Sequence, residues 1–238
     1  VGWGVHSGTA RTPLADDRTD LYPVGISEHE IRPGTVYADP YGHTLVVVAR
    51  IPQTPERGGL LLAVDAQPDL TVARKRFWRG NFLFATDPKL GGAGFKHFRP
   101  IVVEGGRVKR LTNEEIARDP QFADYSLAQA ANGSEGFYDA MDAMLSPRPL
   151  DPERAFLQMI DALDEQVRTR ARSVANGEEY VAKNKGTIAM PDGAAIFETT
   201  GAWEDYATPS RDLRLLIAVD VVRGFPEKVR QQPKRFAM

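Results

Sequence analysis

His43 stands after two turns, "PG" at 33–34 and "DPYG" at 39–42, at the mouth of the aliphatic run "TLVVV". An imidazole at a strand entrance is suited to moving protons near neutral pH, because its ordinary titration falls there. The next aliphatic run, "GLLLAVDAQPD", returns antiparallel after the connection "PQTPERGG". If that hairpin turns about residues 55 to 56, His43 faces Asp65 to Pro68 across the strands. Asp65 or Gln67 then accepts a hydrogen bond from one ring nitrogen, fixes the tautomer and leaves the other nitrogen as a base. Such a base needs a nucleophile to deprotonate, and the 238 residues contain no cysteine. The plain alternative is a histidine that bonds nearby backbone at a strand end.

Other residues offer weaker chemistry. Ser7 in "HSGTA" is a hydroxyl next to a glycine, but the G-x-S-x-G elbow is absent. "ARKRFWRGNFLF" (73–84) interleaves cationic and aromatic residues. It reads as an edge strand with one charged and one aromatic face. Read as a groove instead, it puts Trp78 and Arg79, with Tyr41 from the turn before His43, in contact with a polymeric substrate. Asp16, Asp17 and Asp20 do not match a calcium loop and read as a solvated, Arg18-paired segment. The four histidines, at 6, 29, 43 and 97, show no zinc spacing, so no metal is expected. No cofactor is expected either: "KLGGAGFKHF" lacks the phosphate-loop pattern and reads as a flexible loop. Glu198, Glu204, Asp205 and Arg211 cluster between helices; two such carboxylates would suit a glycosidase only if they faced each other across a cleft.

Composition bounds these readings. Hydrophobic residues make up 42% and charged residues 26%, values of a folded chain rather than a disordered one. The net charge of -2 supplies no field for a polyanion, so nucleic acid is not an expected partner. No run of about eighteen apolar residues is present, so no membrane span is expected. The N-terminal "VGWGVHSGTARTP" has neither the basic nor the apolar region of an intact signal peptide, and without an initiator methionine the chain reads as trimmed.

The elements that must position these residues change character near residue 111. Before it, "TVYA" (35–38), "HTLVVVARI" (43–51), "GLLLAVDA" (59–66), "TVARKRFW" (71–78) and a hairpin over 98–111 turning at Gly105-Gly106 predict a small, mostly antiparallel sheet. After it the period is helical. Thr112 with Glu115 forms a capping box, Ser134 caps "EGFYDAMDAML", and Asp151-Pro152 opens a long helix. That helix is expected to bury Phe156, Ile160, Leu163, Val167 and Val174 and to end near Asn176-Gly177. Thr208-Pro209 starts a last helix that Gly224 and Pro226 stop. The fold class is α+β: a strand-rich part over 1–111 and a helical part over 112–238, packed into one unit.

The stretch "PGTVYADPYGHTLVVV", followed by "GGLLLAVDAQPDLTVARKRF", resembles the histidine-bearing half of papain-like amidases and peptidases of the NlpC/P60 and CHAP kind. The match covers about a sixth to a fifth of the chain, and Thr35 replaces the family's usual aspartate after Pro-Gly. The resemblance implies amide-bond hydrolysis on a peptide or peptidoglycan-like substrate. His43 would be the base and Asp65 or Gln67 its orienter. The cysteine nucleophile would come from outside these residues or be lost. It also implies a cell-envelope or secreted location. The competing expectation is a non-catalytic peptide- or glycan-binding module built on the same scaffold.

Overall fold

In the computed structural model, residues 10–40, 43–66, 72–122, 124–193, 195 and 201–237 are described. The chain is α+β, with an antiparallel sheet in its N-terminal half and helices dominating the C-terminal half. Six strands form the main sheet: β1 (Leu21–Pro23), β2 (Val36–Ala38), β3 (Thr44–Ile51), β4 (Leu60–Ala66), β5 (Val72–Arg76) and β6 (Gly94–Phe98). Their order across it is β1-β6-β2-β3-β4-β5. β7 (Ile101–Glu104) and β8 (Arg107–Arg110) make a separate two-stranded hairpin rather than part of that sheet. It turns at Gly105-Gly106, whose φ values of 57° and 77° demand glycine.

β6 corrects the expectation of a flexible loop at "KLGGAGFKHF". Gly94, Phe95, Lys96 and His97 are all buried, and β6 lies between β1 and β2. A strand buried on both faces loses the polar alternation that marks a half-buried one. Here a lysine and a histidine further disguise it.

Two compact units divide the chain. One comprises Val1–Asp65, Arg74–Phe77 and Phe82–Arg148; the other comprises Ala66–Ala73, Trp78–Asn81 and Pro149–Met238. The first therefore includes α1 (Asn113–Arg118), α2 (Ala128–Ala131) and α3 (Gly133–Leu145). Its core is aromatic: Tyr37 meets Phe82 and Phe95 at ring distances of 5.0 and 4.8 Å, and Phe84 stacks on Phe137 at 4.0 Å. The Thr112–Glu115 capping box opens α1 as expected. Ser134 does not cap α3; it lies inside the helix and donates to the Phe84 carbonyl at 3.2 Å.

The second unit is a pair of long helices, α4 (Pro152–Asn184) and α5 (Ser210–Gln231). Asp151 caps α4, accepting from the Arg154 N–H at 3.0 Å. α4 runs past Gly177 and ends at Lys185, which takes the left-handed conformation. Its buried side is also rotated from the expected one. Ala162 and Gly177 are buried, while Ile160, Val167 and Val174 are 39%, 46% and 40% exposed. Small residues allow close approach: Ala162 packs with Trp78 and Ala218, and a Cβ at Gly177 would lie 2.9 Å from that of Tyr206. α5 likewise continues through Gly224 and Pro226. Pro226 forfeits one backbone bond there. The ring of Phe225 compensates, stacking on Phe156 and meeting Phe236 edge-on.

Candidate functional site

Three neighbouring strands carry the candidate site. β3 and β4 pair with Leu45 opposite Asp65. Along β4, Leu61, Ala63 and Asp65 are the buried residues, so period two assigns the carboxylate to a core-facing position. A carboxylate placed there must be paired. His43, two residues before Leu45, lies diagonally across and brings Nδ1 to 3.0 Å from Asp65 Oδ2. Its backbone carbonyl accepts from the Asp39 N–H at 2.9 Å, which fixes the base of the side chain. From β5, Lys75 Nζ reaches the same Oδ2 at 3.1 Å.

The Asp65 side chain is only 3% exposed. Burial pushes its carboxyl up, but the hydrogen bond to His43 and the charge of Lys75 outweigh it and hold the group at about 2. Asp65 is therefore an anion at neutral pH and acceptor only. His43 must donate from Nδ1, which leaves the Nε2 lone pair of the neutral ring free. The His43 side chain is 36% exposed, and Nε2 has no hydrogen-bond partner among the described residues. The arrangement is an oriented imidazole whose second nitrogen is unpaired among the described residues, suited to take up a proton and give it back.

A second histidine, His97, has a carboxylate partner but no open nitrogen. Its Nδ1 lies 2.7 Å from Asp124 Oδ2, and its Nε2 lies 2.8 Å from the Glu30 carbonyl and 3.0 Å from Thr35 Oγ1. Tyr22 donates to the other Asp124 oxygen at 2.8 Å. Burial raises the Asp124 carboxyl, and the bonds from His97 and Tyr22 pull it below its ordinary range. Burial, reinforced by Asp124, raises the Tyr22 phenol. This cluster is a buried cross-link between β1, β6 and two loops, and it offers a substrate nothing.

The N-terminal segment is fastened beside the His43 turn. Arg11 donates to the Pro40 carbonyl at 3.1 Å, three residues before His43. The buried Lys96 ammonium donates to the Ala10 carbonyl at 2.7 Å and to the Thr12 carbonyl and hydroxyl at 3.1 and 3.0 Å. The same Thr12 carbonyl accepts from the Gly92 N–H, and a Cβ at Gly92 would sit 2.1 Å from it, so only glycine fits.

The remaining sequence candidates fall elsewhere. Tyr41, Gln67, Ser7 and Glu198 lie outside the described residues. Trp78 is 8% exposed and packs against Ala162 and Ala218, with an indole N–H that finds no acceptor among the described residues. It is a core residue of the second unit there, not an open stacking platform. Arg79 beside it is half-buried and engaged within the chain. Asp17 accepts from the Asn113 N–H at the start of α1, and Asp20 pairs with Arg110. Arg211 donates to the Glu204 carbonyl and to Ser173, closing the turn before α5. Among the described residues no three His, Asp or Glu side chains are grouped to hold a metal. No described helix is long and apolar enough to cross a membrane. Lys75 is the site member that sequence reasoning missed. Its signal is period two along β5, which puts it on the same face as Ala73. Compared with known proteins, the chain matches no protein-family model, no curated protein and no solved structure.

Proposed function

We propose that His43 and Asp65 are the base and orienter of a papain-like site that hydrolyses peptide amide bonds, cell-wall peptides included, with a cysteine nucleophile from outside these 238 residues. One observation carries the reading: a part-exposed imidazole held at Nδ1 by a buried, ionised carboxylate, with no partner for Nε2 among the described residues. In the reaction Nε2 takes the thiol proton as sulfur attacks the carbonyl carbon. It returns that proton to the leaving amine as the C–N bond breaks, and water then cleaves the thioester. A substrate contact from Tyr41, two residues before His43, belongs to this reading too.

A second reading is a binding module that kept the scaffold without the nucleophile. It is favoured by the absence of cysteine in the chain and by Lys75 sharing the Asp65 oxygen.

The test is turnover of fluorogenic peptide amides and cell-wall peptides by the chain in its native length. Hydrolysis that falls by ~10²–10⁴ in His43→Ala supports the amidase. Hydrolysis indifferent to His43→Ala sinks it. Peptide or glycan binding without turnover favours the second reading.

A further inference from the structure

We propose that Asn132 is a spontaneous modification site, where attack by the Gly133 backbone nitrogen converts the side-chain amide into aspartate and isoaspartate. An asparagine followed by glycine lets that nitrogen close on the side chain most readily, because no Cβ obstructs the approach. The chain contains two Asn-Gly pairs, Asn132-Gly133 and Asn176-Gly177, and the fold treats them oppositely.

Asn132 is exposed in the turn between α2 and α3, and its side chain makes no hydrogen bond among the described residues. Gly133 opens α3, so its N–H precedes the helical ladder, and none of the described backbone bonds uses it. Its φ is 66°, and a Cβ there would meet nothing within 4 Å. Closing the ring needs a rotation of ψ at Asn132, now 22°, which breaks the bond from the Gly136 N–H to the Asn132 carbonyl at 3.2 Å. Asn176 is exposed as well, but it lies inside α4, where the Gly177 N–H belongs to the i→i−4 ladder. Gly177 is also buried, with Tyr206 Cβ 2.9 Å from the place of its own missing Cβ. The same attack there requires that part of α4 unfold first.

In the reaction the Gly133 nitrogen gives its proton to solvent base and bonds to Asn132 Cγ. The Cγ–Nδ2 bond breaks, and ammonia leaves with a proton from solvent. Water then opens the cyclic imide. Breaking the nitrogen's bond to Cγ restores the original backbone and leaves aspartate. Breaking its bond to the backbone carbonyl carbon routes the chain through Cβ and leaves isoaspartate. The net change consumes one water, releases one ammonia and puts a carboxylate at the start of α3, where the unbonded N–H groups and the helix dipole favour an anion.

Peptide mapping by mass spectrometry tests this on the 238-residue chain incubated at mildly alkaline pH. In the folded chain the Asn132 peptide should gain the mass difference between hydroxyl and amino more than about tenfold faster than the Asn176 peptide, since only the latter waits on local unfolding. In guanidinium chloride the two should react at comparable rates. The Asn132 product should separate into two peptides of equal mass, one of which coelutes with the peptide from Asn132→Asp. An Asn176 peptide that reacts as fast as that of Asn132 in the folded chain overturns the proposal. So does an Asn132 peptide that stays intact in the folded chain but reacts in guanidinium chloride, or a product that is aspartate alone.

Discussion

His43 and Lys75 converge on one oxygen: His43 Nδ1 is 3.0 Å and Lys75 Nζ 3.1 Å from Asp65 Oδ2. The carboxylate sits at about 2 because these partners outweigh its burial. Lys75→Met removes one of them and leaves the burial, so the Asp65 carboxyl should move up toward or beyond 3.8. Carboxyl-carbon NMR titration reads this directly. An unmoved Asp65 would show that Lys75 is a bystander.

The same group sets an acid limit on stability. Its folded value lies below its unfolded one, so its contribution is fully present above about 4 and is lost as pH falls toward 2. The size is ~2 kcal/mol for a shift of this order. Urea unfolding between pH 5 and pH 2 should show Asp65→Asn losing less stability than wild type across that window. Parallel curves would refute the assignment.

The two histidines should separate cleanly under mutation. Asp124→Ala strands the His97 Nδ1–H and the Tyr22 hydroxyl in the core, and removing one partner of such a buried pair costs ~3–5 kcal/mol. His43→Ala removes a partly exposed ring at a strand end but also the chief hydrogen bond to the buried Asp65 carboxylate, so it should cost ~1–2 kcal/mol, less than Asp124→Ala because Lys75 still pairs Asp65. Denaturant midpoints at pH 7 check both. Comparable losses at the two positions would mean that His43, too, is chiefly a structural residue.

This contrast marks what was legible in the sequence. The hairpin placed Asp65 or Gln67 across from His43; the register sets Leu45 opposite Asp65, and the His43 Nδ1 hydrogen bond reaches Asp65 on the diagonal, while Gln67 lies outside the described residues. Lys75 and His97 were hidden for a shared reason. Each is a polar residue on an inward strand face, where composition suggests an outward one, and only the neighbouring strands reveal its partner. Asp124 lies 27 residues from His97 in sequence, with no local signal joining them. The helix caps at Thr112 and Asp151 were readable because capping is local. The buried side of α4 was not, because Ala162 and Gly177 bury their backbone against neighbours, and no hydrophobicity pattern reports that.

Lys96 gives a prediction on the alkaline side. Burial pushes its ammonium down to about 7. The folded state thus sheds this proton before the unfolded one, and stability should rise with pH between about 7 and 10.5, by up to ~1 kcal/mol per pH unit. Lys96→Met abolishes that rise. It also leaves the Ala10 and Thr12 carbonyls without their donor, so protease cleavage around residues 10–14 should quicken at pH 7. Wild type and variant unfolding with the same pH slope would remove Lys96 from this role.

Gly177 tests why α4 turns the face it does. In an open helix Gly→Ala stabilises by ~1 kcal/mol through propensity alone. At Gly177 the new Cβ would lie 2.9 Å from Tyr206 Cβ, closer than unstrained side chains approach. Tyr206 has little freedom to retreat. Its ring lies 5.7 Å from that of Tyr180, and its carbonyl accepts from Arg170, which also grips Asp212. Overpacking of this kind costs ~1–3 kcal/mol and outweighs the propensity gain. Gly177→Ala should therefore lower the melting temperature, whereas Ala substitution at the exposed Asn176 next to it should leave it level or higher. A stabilised Gly177→Ala would mean that α4 and the Tyr206 turn do not pack this closely, and that the buried side of the helix has another cause.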